Sequence, residues 1–206
     1  MQLAHALPGH SADRVGNVVQ FPSDEALLRL IAGGARGAIE ILFKRHRVRV
    51  FRFALSITRD RALAEEIVSD VFLDIWRGAG SFRGKSQVST WFLAITRHKA
   101  LSSLRRHARQ QSNEQLSETL EDPADNAEAA MQKRQTGMIL ADGLRRLSTS
   151  HREIIDLVYY HRKSIEEAAE LLKVSKNTVK TRMFHARKRL AEILAVKTDA
   201  KIPSLS

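Results

Sequence analysis

Residues 164–190 read SIEEAAELLKVSKNTVKTRMFHARKRL, and this stretch decides the fold. Ser164 followed by Glu167 is a capping box, in which hydroxyl and carboxylate each satisfy an orphan backbone donor at a helix start. Ala168, Ala169 and Leu172 then share one face, and the pattern lapses over Lys173-Val174-Ser175, which reads as a turn. Ser175 caps the next helix, a longer basic one running through Val179, Met183 and Leu190. A short capped helix, a tight turn and a longer helix make a helix-turn-helix, with Ala168, Ala169, Leu172, Val174, Val179 and Met183 available to pack the pair. The second helix of such a motif lies in the major groove with its N-terminal residues near base edges. Asn177, Lys180, Thr181 and Arg182 are placed for that, since Arg can bond guanine with two donors and Asn can do the same to adenine. Arg187, Lys188 and Arg189 suit phosphates better. The plainer reading is a helical hairpin with a solvated basic face.

Upstream, Met131–Leu147 reads as one helix. Ser150-His151-Arg152-Glu153 has the spacing of another capping box, opening a helix with Ile154, Ile155, Leu157 and Val158. Before that the composition shifts. Between Gln110 and Ala130 there is no Lys or Arg, while Glu114, Glu118, Glu121, Asp122, Asp125 and Glu128 all fall there, and Pro123 breaks any helix. Such a segment is an acidic linker between two basic bodies.

The first body is helical too. Ser23 can cap a helix whose first turn carries Asp24 and Glu25, with Leu27, Leu28 and Ile31 on its apolar face and Gly33-Gly34 as its stop. A longer helix follows through Ile39, Leu42, Phe43, Val50, Phe53 and Ile57. Asp60 caps a third, with Ala64, Ile67, Val68, Val71, Phe72, Ile75 and Trp76 at helical spacing, ended by Gly78 and Gly80. After the loop Ser81–Ser86, Ser89 or Thr90 caps a fourth helix through Trp91, Phe92, Ile95, Leu101 and Leu104. The expected architecture is all-α: two small helical domains, 23–108 and 131–197, joined by the acidic linker 109–130, with a flexible tail over 1–22 and a short one over 198–206.

Composition narrows the partners. Of 206 residues, 34 are Lys or Arg and 23 Asp or Glu, a formal net charge of +11. A polyanion is the default partner of such a chain, nucleic acid first, then a membrane surface or ribosomal RNA. There is no cysteine, so disulfides, cysteine-ligated zinc and thiol catalysis are excluded. The start MQLAHALPGH lacks a basic run and a long apolar stretch, so no secretory signal is read, and no apolar run reaches a membrane span. A cytoplasmic protein is expected. Catalysis finds no support: there is no H-E-x-x-H, phosphate loop or nucleophile elbow, the eight His show no ligand spacing, and Gly33–Gly37 follows a helix rather than a strand. No enzyme activity, cofactor or metal site is expected.

Residues 164–190, with Leu147–Tyr160 before them, resemble the region-four domain of the extracytoplasmic-function (ECF) sigma factors, the smallest members of the sigma-seventy family. This half alone is also similar to the DNA-binding domain of LuxR-type regulators. The first half decides between them. Residues 64–76, AEEIVSDVFLDIW, resemble the region-two helix that docks on the clamp of the polymerase largest subunits, and 82–97, FRGKSQVSTWFLAITR, resemble the segment that melts and reads the −10 element. The resemblance spans about residues 24–195 in the family's order.

It implies a four-helix region-two-like domain and a region-four-like helix-turn-helix domain. The former binds core polymerase through Asp70, Leu73, Asp74 and Trp76, and −10 DNA through Phe82, Arg83, Gly84, Lys85, Ser86, Trp91, Arg97, His98, Lys99 and Arg105. The latter binds the −35 duplex through Ser175, Lys176, Asn177, Thr178, Lys180, Thr181, Arg182, His185, Arg187 and Lys188. Implied partners are core RNA polymerase (clamp of the largest subunits, flap of the second), promoter DNA and an anti-sigma factor, with the chain a monomer. In the family the acidic linker threads the polymerase cleft; a solvated spacer is its bland reading. Phe72, Ile75, Trp76 and Phe92 could equally be core. The chain departs from the family at Ser69, commonly Gln, at His98, commonly Asn, and at Lys173, often Gly. A left-handed backbone at Lys173 would be strained. A stand-alone helix-turn-helix regulator, binding a palindrome without polymerase, is the competing function.

Overall fold

The computed structural model describes residues 22–111 and 129–199, and every regular element among them is helical. Of the expected tails (1–22 and 198–206) and linker (109–130), residues 1–21, 200–206 and 112–128 lie outside the described residues. The first domain consists of α1 (Asp24–Ala32), α2 (Arg36–Thr58), α3 (Arg61–Gly78), a 3₁₀ turn (Ala79–Ser81) and α4 (Val88–Gln111). Ser23 caps α1, its hydroxyl accepting from the Ala26 amide, and Asp60 caps α3 by accepting from the Leu63 amide. Gly33 closes α1, and Gly34 follows at φ +90.

One apolar stripe per helix builds the core, with Leu27, Leu42, Phe53, Ile67, Ile75 and Phe92 among its innermost side chains. Phe92 is 1% exposed. Its ring meets His46 and Phe72 edge-on at 5.0 and 6.0 Å. Phe72 and Ile75 are buried as well, so these three are core. Asp24 ties α1 to α2: its carboxylate accepts from Arg45 Nη1 at 2.8 Å and meets His46 Nε2 at 2.6 Å. Burial pulls the His46 pKa below its ordinary 6.5, against the opposing pull of Asp24.

The start of α4 corrects the sequence reading. Neither Ser89 nor Thr90 caps it. The helix begins at Val88, and the Thr90 and Trp91 amides both bond the Gln87 carbonyl. Buried Val88 draws the first turn into the core, and the two hydroxyls turn instead toward the second domain.

The second domain comprises α5 (Ala129–Arg145), α6 (Thr149–Ile155), a π-helical turn (Asp156–Tyr160), α7 (Ile165–Leu172) and α8 (Lys176–Asp199). The helix expected over Met131–Leu147 thus lies two residues earlier at each end. It rests on α8 through Gly143, where an added Cβ would come within 3.0 Å of Leu190. The helix-turn-helix is as read. Ser164 and Glu167 form the capping box, Ser175 accepts from the Thr178 amide, and Ala168, Ala169, Leu172, Val179 and Met183 are buried between α7 and α8. Lys173 closes α7 at φ 55, a left-handed position. A second correction concerns α6, which is capped by Ser148, its hydroxyl accepting from the His151 amide. Ser150 lies inside the helix, and Glu153 is not a capping residue.

Because Phe92 is fully enclosed, Phe92→Ala is expected to cost about 3–5 kcal/mol of stability. Urea unfolding followed by far-ultraviolet circular dichroism measures this. A loss below about 1 kcal/mol, the scale of a surface change, would show that the Phe92 ring is not a core anchor.

Candidate nucleic-acid and polymerase interfaces

On α8 the buried residues Val179, Met183, Ala186 and Ile193 define the inner face. At 100° per residue the opposite stripe is Asn177, Thr181, Phe184 and Lys188, and all four are exposed. Lys180, His185 and Arg187 flank it, also exposed. Phe184 is 64% exposed, with the His185 ring edge-on at 5.3 Å. The sequence reading omitted Phe184, although its place on the 177–181–184–188 stripe was legible. Three of the expected −35 residues have local duties. Ser175 and Thr178 form the cap, their hydroxyls 2.9 Å apart, and Lys176 pairs with Glu166 at 3.1 Å. That partner holds the Glu166 carboxyl below its ordinary value. A cleft beside the stripe is lined by Arg146, Ser148, His151, His185, Lys188, Arg189 and Glu192, with Arg189 paired to Glu192 at 3.1 Å.

In the first domain the loop between the 3₁₀ turn and α4 exposes Arg83, Gly84 and Lys85, with Ser86 half-buried. Gly84 has φ +68, a conformation that favours glycine. Phe82 and Trp91 are both half-buried, with ring centroids 5.3 Å apart, and Trp91 leans on Phe92 at 5.8 Å. The aromatic shelf therefore has a core side and an open side. Farther along α4, His98 and Arg105 are exposed, and Arg105 donates to the Leu101 carbonyl of its own helix. Arg97 and Lys99 are engaged elsewhere. Lys99 Nζ sits 2.9 Å from Asp74 and 3.7 Å from Asp70. The two acids expected to face polymerase are thus tied to α4, although both remain well exposed. Leu73 and Trp76, at 45% and 37% exposure, complete an open face on α3.

Residues 42–110 match the family described as Sigma-70 region 2, and residues 138–190 match Sigma-70, region 4. The ECF RNA polymerase sigma factor SigM of Mycobacterium tuberculosis is 34% identical over 172 residues, 84% of this chain and 85% of that protein. The chain belongs to the sigma-70 family as an ECF RNA polymerase sigma factor. SigK of Mycobacterium bovis, with the same description, is 27% identical over 84% of this chain and 94% of its own length. Among solved structures, the sigma factor RpoE in complex with the anti-sigma factor NepR from Bartonella quintana superposes with a TM-score of 0.65 at 26% identity. It covers 76% of this chain and 96% of that one. CnrH, in complex with the cytosolic domain of CnrY, shares the fold with a TM-score of 0.59 at 24% identity, over 87% of this chain and 99% of that one.

The two domains of this sigma factor pack against each other through charge. Arg97 Nε donates to Glu153 at 2.7 Å, and Thr90 donates to Glu167 at 2.9 Å. Lys163 Nζ reaches Gln87 and Ser89, each at 3.1 Å. Arg152 donates to the Ser56 carbonyl, Arg59 to the Leu147 carbonyl at 2.7 Å, and the Arg52 guanidinium stacks 4.2 Å from the Tyr160 ring. Arg152, Glu153, His161 and Lys163 are all buried. Desolvation lowers the Arg152 pKa to about 10, with repulsion from Arg59 adding to it and Asp156 and Glu153 opposing. Burial raises the Glu153 pKa above its ordinary 4.5, opposed by the hydrogen bond and charge of Arg97 and by the charges of Arg182 and Arg152.

The folded protein therefore holds the Glu153 proton more tightly than the unfolded chain. As pH rises from 4.5 through the raised value, the contribution of this group to stability declines. A carboxyl-carbon NMR titration is expected to place Glu153 above 4.5. Glu153→Gln should flatten the pH dependence of unfolding in that window. A midpoint at or below the ordinary value would show that the pairing with Arg97 outweighs the cost of burial.

Proposed function

We propose that this sigma factor divides promoter recognition between its domains without a catalytic centre of its own. The observation that carries this reading is the outward stripe of α8, Asn177, Thr181, Phe184 and Lys188, directly opposite a fully buried face. A helix anchored on one side only presents its other side to the major groove. Asn177 and Arg182 read bases of the −35 element, Phe184 offers apolar contact to a thymine methyl, and Lys180, Arg187 and Lys188 hold phosphates. The cleft lined by Arg146, His151 and Arg189 extends the phosphate track.

The first domain captures the melted −10 strand. An unstacked base lies against Trp91, a contact worth about 1–3 kcal/mol, which offsets much of the few kcal/mol that extrusion costs. Gly84 allows the backbone to approach the extruded base, Arg83, Lys85 and Ser86 donate to it, and Arg97, His98 and Arg105 line the strand. Asp70, Leu73, Asp74 and Trp76 dock on the polymerase clamp, and the second domain meets the flap of the second-largest subunit. The protein acts as a monomer in the cytoplasm and is held inactive by an anti-sigma factor. A similar protein crystallised with an anti-sigma factor supports that last element.

In vitro transcription with purified core polymerase on a pool of genomic promoter fragments tests the reading. Specific transcripts are expected only with both components. Tight DNA binding without core, and no transcripts, would instead make this a stand-alone helix-turn-helix regulator. Arg182→Ala is expected to cost about 1–3 kcal/mol of discrimination at one −35 position, measured by competition with single-base duplex variants. Trp91→Ala should leave duplex affinity unchanged and impair opening, followed by permanganate reactivity of unpaired thymines. Identical failure of both variants at the binding step would refute the division of labour.

A further inference from the structure

The sequence places Lys99 among the −10 residues, but in the fold its ammonium faces α3. Glu66, Asp70 and Asp74 recur at every fourth residue of α3 and so form one row. Lys99 and Arg106 answer that row from α4, which runs antiparallel to α3. Lys99 Nζ sits 2.9 Å from Asp74 and 3.7 Å from Asp70, and Arg106 Nη2 lies 3.4 Å from Glu66. The two contacts differ in kind. Arg106 and Glu66 are 58% and 57% exposed, a surface pair that fixes little. The Lys99 side chain is 25% exposed, so its stem is packed and its charge is delivered to one place. His98, next to it on α4, is exposed.

Asp70 and Asp74 stand one helical turn apart, where like charges repel. Left alone, the two carboxylates would turn away from each other. A cation between them removes the repulsion and gives both the same target. Direction matters here because Leu73 and Trp76 open beside the acids. A partner that seats those two apolar side chains meets the carboxylates at set positions. Holding them there beforehand removes an ordering cost from binding.

We infer that Lys99 is a positioning residue for polymerase docking, which holds the Asp70 and Asp74 carboxylates in line with Leu73 and Trp76 and makes no contact with −10 DNA. This rests on the reading of α3 as the docking face. Charge and aim pull in opposite directions at this position. Without Lys99 the face is more negative, and attraction to a basic partner surface would by itself tighten. A loss of affinity therefore reports aim. Both carboxylates reach water, which screens the change in charge, and aim prevails.

Binding of the dye-labelled full chain to purified core polymerase, followed by fluorescence anisotropy, tests the role. Lys99→Met keeps the stem and removes the ammonium. It is expected to weaken core binding about tenfold, the scale of ordering two side chains on association. Lys99→Arg should restore the affinity. Lys99→Met added to Asp74→Asn should lose little beyond Asp74→Asn alone, since groups in one ion pair are not additive. At saturating core, affinity for a mixed-sequence single-stranded DNA oligonucleotide should be unchanged; a lost phosphate contact would instead reduce the salt slope by about 0.7. Lys44→Met removes the same charge from an exposed position on α2 and should leave core binding as it is. Circular dichroism checks that helix content is kept. Unchanged or tighter core binding by Lys99→Met, an equal loss from Lys44→Met, or a shallower salt slope on DNA would overturn the positioning role. Full core affinity in a chain carrying both Asp70→Asn and Asp74→Asn would instead count against the docking reading.

Discussion

A carboxylate removed from water needs a cation and further donors, and Glu153, 3% exposed, finds its cation on the other domain. That requirement organises the molecule. α6 presents Glu153 beside Arg152, α4 brings Arg97 to meet it, and Lys163 and Glu167 continue the polar seam to Gln87, Ser89 and Thr90. Breaking such a pair from one side typically costs 3–5 kcal/mol, because the remaining charge is stranded. Separating the domains is different, since both charges regain water together. The seam is therefore intolerant of single substitutions and tolerant of opening.

The same economy holds inside each domain. Every helix spends one face on the core, and its other face stays available. On α8 the free face is basic with a single exposed aromatic; on α3 it is acidic and apolar, with Leu73 and Trp76 beside Asp70 and Asp74. α4 is the busiest element. Its inner face supplies Phe92 and Leu93 to the core, its N-terminal turn supports the Trp91 shelf, and Arg97 and Lys99 reach to two other helices.

What the sequence made legible was local. The caps at Ser23, Asp60, Ser164 and Ser175 and the turn at Lys173 could be read because each signal lies within three or four residues of the group it satisfies. The helix-turn-helix followed, and with it the face of α8 that stays exposed. Two hydroxyl patterns misled. Ser148 and Ser150 both precede a helix, and the glutamate three residues after Ser150 completed a capping box on paper; its true partner is 56 residues away. Ser89 and Thr90 looked like caps because serine and threonine before an apolar run usually are, yet they serve contacts to Lys163 and Glu167 more than 70 residues along. Spacing says nothing of a pairing that depends on how two domains meet. Phe184 escaped for a different reason: an aromatic on an amphipathic helix is assigned inward by default.

Among the described residues, three other than glycine adopt left-handed backbone: Arg59, Arg162 and Lys173. All are cations, and Arg59 and Lys173 close α2 and α7. A cation there is favoured by the negative end of the helix by about 0.3–1 kcal/mol, which recovers part of the 1–2 kcal/mol, roughly, that the conformation costs an L-residue. What is left over is thermal headroom. In a domain of this size a net 1 kcal/mol corresponds to about 4–8 °C in melting temperature. The turn of the helix-turn-helix is held by the packing around it, against the preference of the lysine that occupies it, and the protein works below the heat resistance its own fold would permit.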